Sequence, residues 1–81
     1  MDKLIIEAIE HAQAGRWEQA HDIVQEMDSP NAYWIHAYLH RFEGDDSNAE
    51  YWYRRAGRAM PTTSTKQELD DMANELINGN P

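Results

Sequence analysis

Apolar residues in this chain recur at helical spacing in five separate stretches, each closed by a break containing glycine or proline. In the first, Leu4, Ile5, Ala8, Ile9 and Ala12 make one stripe, which predicts a helix over 2–14 ended by Gly15. Trp17, Ala20, Val24 and Met27, with Ile23 beside them, predict a second helix over 17–27. The Asp28-Ser29-Pro30-Asn31 run stops it, because proline restricts its predecessor and lacks an N–H. The third stretch, 32–43, differs: Ala32, Tyr33, Trp34, Ile35, Ala37, Tyr38, Leu39 and Phe42 cover most of the circumference. Only His36, His40 and Glu43 form a polar line. A helix apolar on several sides is packed by several neighbours, so it belongs at the centre. Ser47 and Glu50 have capping-box spacing and open a fourth helix that runs to 59, with Ala49, Trp52, Tyr53 and Ala56 facing inward. Glu50 and Arg54 stand four apart in the favourable order for an ion pair. Thr65 and Glu68 read as another capping box, opening a fifth helix over 65–77 whose stripe is Leu69, Met72, Ala73 and Leu76. No stretch alternates with the period of two expected of a half-buried strand.

The stretches repeat. Gly15 and Gly44 lie 29 positions apart, and so do Ala20 and Ala49. Two helical hairpins side by side produce such a pattern. The expected fold is therefore all-α: two stacked antiparallel hairpins, 2–27 and 32–59, and a capping helix, 65–77, in one domain of 81 residues. Alanine at 8, 20, 37 and 49 lets paired helices approach closely while larger side chains fill the flanks.

These residues resemble the tetratricopeptide repeat (TPR) superfamily, including its Sel1-like branch. Ala8, Gly15, Ala20 and Pro30 in the first hairpin, and Ala37, Gly44, Ala49, Ala56 and Pro61 in the second, match the small-residue and proline positions. The run from Ala49 to Gly57 is similar to a Sel1-like second helix. Over residues 3–61 the resemblance implies a TPR-like binding scaffold. The chain departs from it in having only two units, each shorter than the usual repeat of about 34 residues. The string from Trp34 to Arg41, followed by Glu43-Gly44-Asp45, also looks like small bacterial proteins without an assigned role.

Composition narrows the function classes. Fifteen acids against seven Lys and Arg give a formal charge of −8, which opposes non-specific binding to nucleic acid and to anionic membrane surfaces. No cysteine is present, so disulfides, thiolate zinc sites and cysteine nucleophiles are excluded. The start of the chain does not read as a signal peptide and no apolar run is long enough to cross a bilayer, so a cytoplasmic protein is expected.

Candidate chemistry is sparse. His36 and His40 sit one helical turn apart, a spacing at which two imidazoles can share a metal. The zinc-protease pattern needs glutamate after the first histidine, where this chain has Ala37, and a third ligand must come from elsewhere, such as Glu7, His11 or Glu43. The sequence reading is that these histidines edge the core or meet a partner, and no metal or cofactor is assigned. Acids fall mostly on expected solvent faces or at helix starts, where they suit the dipole, and no phosphate loop or nucleophile–base spacing appears, so no enzyme is expected. Aromatic residues near Arg54, Arg55 and Arg58 have the chemistry of a protein interface. The expected contact set is Tyr33, His36, His40, Tyr51, Arg54, Arg55 and Arg58, facing an acidic protein or peptide. A self-associating domain whose homodimer completes the small core is one alternative, and a metal-binding or catalytic protein using His36 and His40 is another.

Overall fold

The computed structural model describes residues 2–79. Five helices account for the regular structure of these residues: α1 (Lys3–Gln13), α2 (Trp17–Val24), α3 (Pro30–Phe42), α4 (Asp46–Ala56) and α5 (Thr65–Leu76). The breaks work as local chemistry dictates. Gly57 ends α4 in the left-handed conformation at φ 74°, a region that side-chain-bearing residues avoid. Pro30 occupies the first turn of α3, where its missing N–H costs nothing, and Ser29 caps that helix by accepting from Ala32 N.

Two caps fall one or two residues before the predicted ones. Asp45, not Ser47, accepts from the first turn of α4, and Ser64, not Thr65, accepts from Gln67 N in α5. Both expected residues lie beside a second cap-forming side chain, and spacing alone does not choose between them. Helix α2 ends at Val24, so Met27 packs on the core from beyond the helix.

Short connections make α1 with α2, and α3 with α4, antiparallel pairs. Ala8, Ala20, Ala37 and Ala49 are all fully buried, as close helix packing requires. Helix α3 packs against each of the other four helices, which explains its nearly continuous apolar surface. One core cluster joins Ile5, Ile9, Val24, Ile35, Leu39, Tyr53 and Met72. The fifth helix departs from a simple stacked cap. It lies against α1 and α3, reaching across both hairpins. Leu4 and Phe42, expected on apolar stripes, are 49% and 59% exposed. Among the described residues no helix is long and apolar enough to cross a membrane.

Candidate functional site

An aromatic row crosses the molecule from α2, over α3, to α4. Trp17 stacks on His21 with ring centroids 4.7 Å apart, and His21 meets His36 edge-on at 4.7 Å. His36 in turn stacks on Trp52 at 3.9 Å. Tyr33 and Tyr51 flank Trp52 at 5.6 and 5.0 Å. The two ends of this row differ in chemistry.

The α4 end is exposed and cationic. The Arg55 guanidinium lies 4.6 Å from the centre of the Tyr33 ring and 5.0 Å from that of Trp52, and it donates to the hydroxyls of Tyr51 and Tyr33 at 3.2 Å each. Those hydroxyl bonds hold its pKa above the ordinary arginine value. Tyr33 passes a hydrogen bond on to Asp28 at 3.0 Å. Among the described residues neither Arg54 nor Arg55 has a carboxylate within ion-pair distance, and the Glu50–Arg54 pair is not formed. A hollow of about 260 Å³ opens beside Arg54, bordered by Glu50 and Met60. Arg58 is engaged within the molecule: it lies 3.5 Å over the Trp34 ring and pairs with Glu75 at 2.5 Å.

The α2 end is a histidine cluster. His36 and His40 are 5% and 8% exposed, so they do not share the outer face with Tyr51 and Arg54. Helix α2 lies over that side of α3 and brings His21 against both rings. One ring nitrogen from each of the three histidines lies within 4.8 Å of the other two. His40 Nδ1 sits 2.8 Å from Glu43 Oε1 and 3.5 Å from Asn48 Nδ2; the shorter contact fixes the tautomer, with Nδ1–H donating to the carboxylate. Among the described residues, the buried His36 Nδ1 has no hydrogen-bond partner. Burial, followed by the charges of His21, His40 and Arg55, lowers the His36 pKa to about 4. Burial and then His40 also lower that of His21. Both rings are therefore neutral at pH 7.

On the opposite side of α3 lies a second buried polar group. Glu68, 2% exposed, accepts from Trp34 Nε1 at 3.1 Å, Tyr53 OH at 2.5 Å and Arg41 Nη1 at 2.8 Å. Burial, then the bond to Glu68, pushes the Tyr53 phenol well above its usual pKa and keeps it a donor. Arg41 also donates to the Thr63 carbonyl, tying down the α4–α5 connection. A cleft of about 350 Å³ adjoins this cluster, bordered by Trp34, Arg58, Glu68, Asp71 and Glu75. Its size exceeds its chemical promise, since Glu68 and Glu75 are already paired with arginine.

Of the seven expected contact residues, the structure groups Tyr33, Tyr51, Arg54 and Arg55 at one end of the row. It turns Arg58 toward α5 and buries His36 and His40. Sequence spacing missed His21, because only the packing of α2 on α3 makes it a neighbour. None of Glu7, His11 and Glu43 is the third member of the cluster: His11 instead accepts from Arg16 at 2.8 Å, and Glu43 stands behind His40. No family profile, curated protein or solved structure was found to match this chain.

Proposed function

We propose that this protein is a small helical adaptor that binds an acidic segment of another protein through the exposed face of α4. One observation carries the reading: among the described residues Arg54 and Arg55 project without carboxylate partners, in a chain that has fifteen acids of its own. Tyr51, 52% exposed, and the rings around Arg55 give that charge a stiff apolar surround, the combination that excludes water at interface hot spots. Guanidinium groups suit this role because their planar forks match carboxylates two bonds at a time. The TPR-like repeat supports the reading as a scaffold, and a cytoplasmic setting is part of the same proposal.

An array of acidic peptides probed with the labelled protein tests it. The Arg54→Glu plus Arg55→Glu variant, confirmed as helical by circular dichroism, should bind at least about tenfold more weakly, the loss of roughly 1.4 kcal/mol or more. Equal binding by the folded variant overturns the proposal. Light scattering over a concentration series separates it from self-association, which predicts a dimer that the two substitutions dissolve.

A further inference from the structure

We propose that His21, His36 and His40 form a three-imidazole site for a divalent transition-metal ion of the zinc class. The site uses none of Tyr33, Tyr51, Arg54 and Arg55, so the proposal stands apart from the adaptor reading.

Three features of the packing converge on it. The first is the donor set. Three histidines from two helices bring ring nitrogens within 4.8 Å of one another, in a chain without thiols. Zinc held by three histidine nitrogens at about 2.0–2.1 Å needs those nitrogens roughly 3.4 Å apart, so closing the set takes ring movements on the order of 1 Å. His21, half-buried on the eight-residue α2, has the freedom to supply most of that movement.

The second feature is orientation. Glu43 takes the Nδ1–H of His40, which leaves Nε2 with the lone pair a metal uses. A carboxylate behind a ligating histidine fixes its tautomer and raises its basicity. Trp52 lies flat against the buried His36 and restricts how that ring turns.

The third is unspent capacity. His36 Nδ1 is buried without a partner, although a buried polar nitrogen left unpaired costs on the order of 1–3 kcal/mol. The acidic chain draws cations toward the cluster. Three protein ligands leave a fourth tetrahedral position for water or for a ligand atom.

Untagged protein titrated with Zn²⁺, and separately with Co²⁺, tests the site. The expected result is one ion per chain, visible absorption bands of a tetrahedral Co²⁺ centre, and quenching of the fluorescence of Trp17 and Trp52, whose rings touch the ligands. His21→Gln is the main variant because His21 is the least buried of the three. It should keep its helicity and weaken Zn²⁺ binding at least about tenfold, and Glu43→Gln should weaken it by about tenfold. His11→Gln should change nothing. Absence of one-to-one binding, undiminished binding by folded His21→Gln, or an equal loss in His11→Gln overturns the proposal.

Discussion

Helix α3 carries a buried polar cluster on each side, and the two are finished to different degrees. Toward α5, the Glu68 carboxylate has three donors from two other helices. Toward α2, three imidazoles share one carboxylate partner, and one buried nitrogen has none. A fully satisfied buried network holds elements in register, since removing any member strands the others. An incomplete one contributes little to holding the fold and keeps capacity for something from outside. The Glu68 side therefore reads as a clasp for α5, and the histidine side as a place to bind.

Replacing Glu68 is the severest challenge to this contrast. Glu68→Ala leaves Arg41, Tyr53 and the Trp34 N–H without their acceptor, and urea unfolding should show a loss of roughly 3–5 kcal/mol. A loss below about 1 kcal/mol would mean that the clasp is decorative.

Acid comes next. His36 faces His21 from α2, His40 on its own helix and Arg55 from α4, and its folded pKa of about 4 lies below the ordinary 6.5. Between those values the unfolded chain binds a proton that the folded chain refuses. The stability this supplies is full above pH 6.5 and drains as pH falls toward 4, by roughly 2–3 kcal/mol. His21, shifted the same way, adds to the loss. Urea midpoints in steps from pH 7.5 to 4.5 should fall for the native chain and less steeply for His36→Gln. Parallel slopes would remove His36 as the cause.

The smallest effect is the most discriminating. His21→Phe keeps a ring against Trp17 but removes the imidazole, and should alter stability by less than about 0.5 kcal/mol. A loss of 2 kcal/mol or more, on the scale of breaking a buried hydrogen-bond network, would place the histidine cluster beside Glu68 as a structural device.

Periodicity and breaks were enough to read all five helices and the central place of α3, because both follow from burial along a single element. What depends on packing between elements stayed hidden. Glu68 stands three residues after Thr65 and looks like a capping partner, yet it is the buried acceptor of α5. Arg41 looks like surface charge until Glu68 appears opposite it. His36 and His40 were legible as a pair through their spacing of four, whereas His21 joins them only once α2 lies on α3. The exposed end fared better. Tyr51 and Arg54 fall off the inner stripe of α4, and the structure leaves both exposed.

The placement of α5 against α1 has a consequence for how the molecule comes apart. In an open row of hairpins each unit leans only on its neighbours, so the ends can fray while the middle persists. Here the opening and closing helices brace one another, and neither terminus can peel away without exposing the flank of the other. Amide protons in α1 and α5 should then exchange on one common timescale, that of whole-molecule unfolding, instead of in a graded series from the ends inward.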